Sequence, residues 1–587
     1  MRLEEYWGIG PKTSELLSEE LGVERAIEAI ESADTRTLTA AGLSRGRATR
    51  ILRRASGAES MDLLATRDTR NVYKELLDLA EEYAVTPDAA DRIRVLTPLP
   101  SRERMEERLD DVLSARDSWA GLSEETRESV VGAFEGYESG GERAAVETAI
   151  ALQSVGVSEG VFAPIAALDS DHLASARAAL AGLAGESDGV GRGADEELDR
   201  LRDRLGHVED LAAGSAAVVE AVQDGATRPS EFQDALARYV TDETGLERAR
   251  VREAMPGEAT DARDFVETAL RDLRSSLRSD RERREAAVAD RLESDLEAAR
   301  ETVDAAVDAV GDIALSVSLA RFAIAFDLVR PTLVEDRETI AVRNARNLTL
   351  ADVDEPQPIT YAVGDHELAV QSPNAPPSGD RVAVLTGANS GGKTTLLETL
   401  CQVQLLAQMG LPVPAEAAEV GLVDTVVFHR RHASFNAGVL ESTLRSVVPP
   451  LTGGDRALML VDEFEAITEP GSAADLLHGL VTLTVDRGAL GVFVTHLAAD
   501  LEPLPETART DGIFAEGLDP DLELEVDYQP RFGTVGRSTP EFIVSRLVAN
   551  AGDPVERSGF ETLAHAVGEE AVQRTLSDAR WTDGDGG

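Results

Sequence analysis

The chain has 587 residues, 58 Lys+Arg against 108 Asp+Glu for a formal net charge of −50, and one cysteine. A single Cys401 excludes a disulfide framework and any multi-cysteine zinc or iron–sulfur site, and it points to a reducing, cytoplasmic setting. No run of 18 apolar residues and no charged-then-apolar leader is present, which predicts neither membrane span nor secretion, and the length allows about three or four domains.

Such acidity argues against a nucleic-acid partner on charge alone, because phosphates repel carboxylates. Yet the only lysines are Lys12, Lys74 and Lys393. This acid-rich, lysine-poor composition resembles that of proteins from salt-loving microorganisms, where molar salt screens surface carboxylates within about 3 Å. The distribution of charge is more telling than its sum. Residues 1–57 carry nine Lys/Arg and nine Asp/Glu, and Thr35 to Ala58 holds six Arg and no acid.

Tyr6-Trp7-Gly8-Ile9-Gly10-Pro11-Lys12-Thr13, followed by Leu16 and Leu17, resembles a helix–hairpin–helix. Gly42-Leu43-Ser44-Arg45-Gly46-Arg47 looks like a second copy 34 residues on, with Ser44 in place of a glycine. In such hairpins glycines let backbone N–H groups approach a DNA phosphate without reading sequence. Residues 1–57 are therefore predicted to form an all-α domain that contacts DNA, duplex or branched, through Gly8, Gly10, Lys12, Gly42, Arg45, Gly46 and Arg47. An ordinary helical hairpin is the competing reading.

From about 60 to 340 the texture is helical, and no proline lies between Pro256 and Pro331. Val288, Leu292, Leu296, Val303, Val307 and Val310 recur at spacings of three, four or seven, one apolar stripe on a long helix. A single helix between those prolines would span about 110 Å at 1.5 Å per residue. Coiled-coil scaffold is the reading these residues support. Arg271, Arg274, Arg278, Arg281, Arg283 and Arg284 alternate with acids, as on a solvated helix face.

Beyond about Ala341, short apolar runs separated by Gly/Pro/Asp turns predict an α/β domain, with strands at Thr339–Val342, Val382–Leu385, Val423–Phe428, Leu458–Val461 and Val492–Thr495. The second run leads into Gly387-Ala388-Asn389-Ser390-Gly391-Gly392-Lys393-Thr394-Thr395 and an apolar helix, the setting of a true phosphate-binding loop. Its chemistry needs those types: glycines to turn backbone N–H groups onto phosphate oxygens, Lys393 for the β/γ-phosphates, and the Thr394 hydroxyl for Mg²⁺. The strand run 458–461 ends in Asp462-Glu463, where the first carboxylate suits the Mg²⁺ shell and the second can polarise the attacking water. The run 492–495 ends in His496, a candidate γ-phosphate sensor.

Taken together, the loop 386–395, Gln408-Met409-Gly410-Leu411-Pro412-Val413-Pro414-Ala415, Asp462-Glu463 with Thr468-Glu469-Pro470-Gly471, and Thr495-His496 resemble the ATPase domain of the MutS family, nearest the branch that lacks mismatch recognition. Asp312–Ala320 and Arg330-Pro331 resemble that family's junction between helical core and ATPase. The resemblance implies a multidomain protein: an N-terminal helix–hairpin–helix domain at 1–57, a helical core, lever and clamp at 60–340, a P-loop ATPase of the ABC class at 341–560, and a C-terminal helix and tail at 561–587. It implies ATP and Mg²⁺ as cofactors, with the nucleotide on Gly387, Asn389, Ser390, Gly391, Gly392, Lys393, Thr394 and Thr395. The metal would sit on Thr394 and Asp462, and catalysis would fall to Lys393, Glu463 and His496. It also implies a homodimer in which Ser442, in Gly438-Val439-Leu440-Glu441-Ser442-Thr443, donates toward the γ-phosphate in trans, and a role in DNA repair or recombination control. The chain departs from the family in three places: no mismatch-reading wedge and no small nuclease domain are recognisable, and Phe464-Glu465-Ala466-Ile467 replaces a glycine-rich stretch. An ABC-class tether of DNA or a structure-specific nuclease are the rival readings.

Overall fold

The computed structural model describes the chain from Leu3 to Val572 apart from residues 4–5, 7–8, 32–33, 58–59, 138–140, 185–188, 224–227, 351–355, 388–391, 432–436, 454–455, 465–469, 519–523, 537–539 and 568–571. It divides into two compact units, Met1–Arg127 with Ile313–Gly587, and Glu128–Asp312.

The first unit is organised by two sheets. One has the order β1-β5-β2-β3, from β1 (Thr332–Val334), β2 (Thr339–Ala345), β3 (Ile359–Gly364) and β5 (Ala417–Gly421), with β1 parallel to β5 and the other pairs antiparallel. The other is built from β4 (Val382–Gly387), β6 (Thr425–His429), β7 (Ala457–Asp462), β8 (Leu490–Val494), β9 (Ala508–Leu518) and β10 (Leu524–Phe532). Its order is β10-β9-β4-β8-β7-β6, parallel throughout except for β10 at the edge. Every residue of β4, β6, β7 and β8 is buried, which is why these strands read as unbroken apolar runs.

Successive side chains on a strand point to opposite faces, and here they feed two cores. Ala383, Leu385, Leu458, Leu460, Val492 and Val494 pack with the helix Lys393–Gln408, whereas Val382, Val384, Met459, Val461 and Phe493 pack with the helices Ala437–Thr452 and Pro470–Asp486. All five anticipated strands form. The others, β1, β3, β5, β9 and β10, were not legible as apolar runs.

The compact units do not follow the expected boundaries at 60 and 340. The helices Arg67–Glu81 and Arg102–Ala120 place Val72, Leu76, Leu77, Met105, Leu109 and Val112 in the same core as the sheets and the helix 393–408. Their docking is polar as well. The Phe428 N–H donates to Thr69 Oγ1 at 3.0 Å, the Arg430 N–H donates to Asp68 Oδ2 at 2.9 Å, and Thr66 Oγ1 donates to the Phe428 carbonyl. These bonds satisfy the backbone of β6, the strand that would otherwise be an open sheet edge. At the other end of the helix 393–408, Arg108 Nη1 donates to the Met409 carbonyl at 2.8 Å.

The second unit is helical. The proline-free stretch forms two helices, Ala262–Ala298 and Arg300–Ala325, with Ala299 between them. The predicted stripe is there: Val288, Leu292, Val303 and Val310 are buried, and Leu296 and Val307 half-buried. The helix 262–298 packs on Glu196–Ala213, and the ion pairs Arg284–Asp195 (2.7 Å) and Arg278–Glu209 (3.0 Å) show that the two run antiparallel. Asp195 also caps the N-terminus of 196–213 by accepting from the Leu198 N–H at 2.9 Å. Among the described residues no helix is long and apolar enough to cross a membrane.

Candidate functional site

Three parallel strands of the larger sheet end at one edge. The register Leu385↔Val494 and Asp462↔Val494 brings Gly387, Asp462 and the residues after Val494 level with one another. The ladder continues past the strands, with the Thr495 N–H on the Leu385 carbonyl (3.1 Å) and the Glu463 N–H on the Val494 carbonyl (3.0 Å). The acid pair and His496 are therefore held by backbone at the carboxyl end of a parallel sheet, the place where such sheets bind ligands.

Gly387 begins the loop with φ +133°, and a Cβ there would lie 2.3 Å from the Ile513 carbonyl oxygen, so only glycine fits. Thr386 is clamped beneath it. Its Oγ1 donates to the Asp511 carbonyl (3.0 Å) and accepts from the Gly536 N–H (2.6 Å). A Cβ on Gly512 would come within 2.4 Å of the Gly536 nitrogen. The segments 386–387, 511–513 and 533–536 thus stack backbone on backbone as the floor of the loop. Gly392, at φ +68°, opens the helix 393–408, and the ring of Tyr528 lies against it. Asn389, Ser390 and Gly391 of the expected loop lie outside the described residues.

Lys393 is buried, and its Nζ donates to the Gly387 carbonyl at 3.0 Å. The Thr394 hydroxyl donates to Asp462 Oδ2 at 2.6 Å. Thr395 turns its carbonyl to Asn347 Nδ2 at 3.3 Å, tying the helix start to the segment after β2. Asp462 is 2% exposed, and its Oδ1 is buried without a hydrogen-bond partner among the described residues. Burial, more than the neighbouring Glu463 charge, pushes the Asp462 carboxyl above its ordinary range. The Arg431 backbone lies close enough to favour the charged form, yet Oδ1 makes no hydrogen bond among the described residues, a setting that suits a cation. The hydroxyl of Thr394 and the carboxylate of Asp462 form an all-oxygen pair of the kind that holds Mg²⁺ together with substrate phosphates.

Glu463, itself mostly buried, has φ +42°, unusual for a residue with a side chain. Its Oε1 lies 3.1 Å from His496 Nε2 and its Oε2 lies 2.7 Å from Arg431 Nη1. The structure thus gathers Gly387, Gly392, Lys393, Thr394, Thr395, Asp462, Glu463 and His496 around one edge.

The MutS domain V family profile matches residues 383–450, from β4 through the helix 393–408 into the helix 437–452. The DNA-binding protein MutS2 of Pyrococcus furiosus is 44% identical over 225 residues, 38% of this chain and 38% of that protein. Over these residues the chain is similar to proteins of the MutS family. An Endonuclease MutS2 of Shouchella clausii is 28% identical over 280 residues, 47% of this chain and 33% of that protein. The DNA mismatch repair protein MutS of Granulibacter bethesdensis is 29% identical over 219 residues, 36% of this chain and 23% of that protein. The matched part of this chain therefore spans well under half the length of these relatives.

Several residues around the site escaped sequence reasoning. Asp511 is buried beneath the loop and accepts from Tyr361 Oη (2.8 Å), Arg509 Nε (3.0 Å) and the Gly533 N–H (3.3 Å), while the Arg509 guanidinium lies over the Tyr361 and Phe532 rings. Arg431 and Tyr528 sit on segments with no motif. The Arg-Arg pair directly after a predicted strand was the one available signal for Arg431.

In the N-terminal helices the two predicted copies have matching geometry. Gly10 accepts from the N–H groups of Thr13 (2.9 Å) and Ser14 (3.0 Å), and Ser44 accepts from Arg47 (2.8 Å) and Ala48 (3.0 Å). These bonds start the helices Pro11–Glu20 and Arg45–Gly57. Arg47 Nη2 donates to Thr13 Oγ1, its own counterpart, so the two turns lie side by side. Gly10, Lys12, Gly42, Arg45, Gly46 and Arg47 are exposed. Two arginines of the acid-free stretch are engaged by neighbouring groups: the exposed Arg45 pairs with Asp91, and the half-buried Arg53 donates Nε to the Arg94 carbonyl at 2.8 Å and stacks on Tyr73. Gly8 lies outside the described residues, as does the side chain of Ser442 in the helix 437–452.

Proposed function

We propose that this chain is an ATP-hydrolysing DNA-binding protein of the MutS family that acts in DNA repair or recombination control. The observation that carries this reading is the buried, unpartnered Asp462 Oδ1 beside the Thr394 hydroxyl, at the mouth of a loop that presents Lys393. In this reading Lys393 leaves the Gly387 carbonyl for the β/γ-phosphates, so the ammonium exchanges one oxygen partner for a charged one. Thr394 and Asp462 would hold Mg²⁺, which would supply positive charge to offset that of the phosphates. Glu463 takes the proton of the attacking water, and His496, hydrogen-bonded to Glu463 Oε1, orients that carboxylate and faces the terminal phosphate. Tyr528 offers an aromatic face beside the loop for the base.

The protein would work as a homodimer of ABC-class sites, each completed by Ser442 of the other copy, with the helical unit 128–312 as lever and clamp. The paired turns at Gly10 and Ser44 would form the helix–hairpin–helix grip on the DNA backbone, with Lys12 and Arg47 at their exposed face. ATP hydrolysis by the full chain and by Lys393→Ala tests the core of the proposal: normal hydrolysis by Lys393→Ala would sink it. Incubation with branched DNA and Mg²⁺ or Mn²⁺ separates it from the nuclease reading, which predicts cut product. A Glu463→Gln protein that dimerises on ATP without any dependence on DNA would favour the tether.

A further inference from the structure

Asp462 and Glu463 are adjacent in sequence, yet their carboxylates are treated differently. Asp462 keeps Oδ1 without a partner, whereas both oxygens of Glu463 are engaged, Oε1 by His496 Nε2 at 3.1 Å and Oε2 by Arg431 Nη1 at 2.7 Å. The Glu463 backbone is fixed at φ +42° with its N–H on the Val494 carbonyl, so the side chain does not escape by a shift of the chain. The two partners of the ion pair also differ in exposure: the Glu463 side chain is 10% exposed and that of Arg431 is 55% exposed. A nearly buried carboxylate is costly to leave unpaired, which holds the pair together. A guanidinium already in water leaves easily once another anion competes for it.

The position from which Arg431 reaches is rigid. Arg430, the preceding residue, donates its N–H to Asp68 Oδ2 at 2.9 Å, and its guanidinium lies 3.1 Å from Glu398 Oε2 and 3.7 Å from Glu75 Oε2. Asp68 and Glu75 belong to the helix 67–81, and Glu398 belongs to the helix 393–408 that begins at the phosphate loop. One arginine is thus bolted down from two helices, and the next spans to the acid pair.

We propose that Arg431 is a positioning residue that restrains Glu463, occupying the carboxylate oxygen that would take the proton of the attacking water. ATP hydrolysis is then held down until the guanidinium lets go. This inference rests on the reading of Glu463 as the water-activating carboxylate.

Steady-state ATP hydrolysis by the full chain tests it with Arg431→Ala, Arg431→Lys and Glu463→Gln proteins, each checked for an unchanged thermal unfolding curve. Arg431→Ala is expected to raise kcat about threefold or more with KM for ATP within about twofold, and Arg431→Lys, which keeps a cation, to stay near the parent rate. The double variant Arg431→Ala/Glu463→Gln should be as slow as Glu463→Gln alone, because there is then no base to release. A lower or unchanged kcat in Arg431→Ala overturns the restraint, and a raised KM reassigns Arg431 to nucleotide binding. Should Glu463→Gln hydrolyse ATP as fast as the parent chain, the reading of the site itself fails, and the restraint with it.

Discussion

The carboxyl edge of the large sheet and the N-terminal helices both concentrate chemistry-bearing residues, but the structure uses them in opposite ways. At the sheet edge the motif residues converge, and one of them, Asp462, is left with a buried oxygen that has no partner. In the N-terminal helices two of the arginines that made the stretch conspicuous already have partners within the fold, the exposed Arg45 in Asp91 and the half-buried Arg53 in the Arg94 carbonyl and the Tyr73 ring. A motif specifies geometry because the chemistry tolerates few residue types at fixed spacing. A charge run specifies only charge, and a long flexible guanidinium finds whatever acceptor packing brings near.

The contrast can be broken experimentally, and the sheet edge should respond most strongly. Glu463→Gln is expected to lower kcat for ATP hydrolysis by about 10²-fold or more without loss of nucleotide binding, measured by single-turnover hydrolysis and nucleotide titration. Next comes the floor of the loop. Gly512→Ala would force a Cβ to within 2.4 Å of the Gly536 nitrogen, and it should cost about 1–3 kcal/mol of stability by denaturant unfolding while weakening ATP binding. Tyr361→Phe removes a donor from the buried Asp511 and should cost about 1–3 kcal/mol without touching the nucleotide; an unchanged unfolding midpoint would show that Arg509 and the Gly533 N–H suffice for Asp511.

Smaller effects are expected in the N-terminal helices. Lys12→Ala should weaken DNA binding uniformly across sequences and reduce the salt slope by about one, whereas Arg53→Ala, whose side chain is held inside, should change stability more than DNA affinity. Equal losses of DNA affinity in the two would erase the distinction between outward and inward cations. The smallest effect concerns the helical unit. Arg284 first, with the Leu198 N–H, holds the Asp195 carboxyl down at about 2. A depressed carboxyl adds stability that is complete above its unfolded value near pH 4 and is lost as pH falls toward 2. Asp195→Asn should flatten that part of the pH–stability curve.

Much of the site was legible from sequence, and the physical reason differs from residue to residue. Lys393, Thr394, Asp462, Glu463 and His496 were found because each follows an apolar run that had to be a buried strand. The end of such a strand is where a backbone stops being covered and a side chain can meet a ligand. The strands β9 and β10 were missed because they carry Arg509, Asp511, Asp527 and Arg531, which break the apolar signal; Arg509 and Asp511 pair inside the fold, whereas Arg531 and Asp527 pair on the more open edge strand. That the helices 67–81 and 102–120 join the compact unit of the sheets was not legible at a boundary of 60, because they read as amphipathic helices like those that follow. Which surface an amphipathic helix covers is not written in its own periodicity.

By itself, then, the sequence pointed to the candidate phosphate loop, the acid pair and the histidine, and to the alternation of strands and helices that carries them. All of these follow from local rules, since glycine, lysine and carboxylate at given spacings serve few other purposes. Only the tertiary structure decided that Arg431 engages Glu463, that Asp511 lies beneath Thr386, that residues 66–69 seal the edge of β6, and that Arg45 meets Asp91 and Arg53 meets the Arg94 carbonyl. Those are contacts between residues far apart in the chain, and they are set by where packing puts the ends of long side chains. The net charge of −50 constrained none of them, because what matters at each point is the partner within a few ångströms and not the sum over the chain.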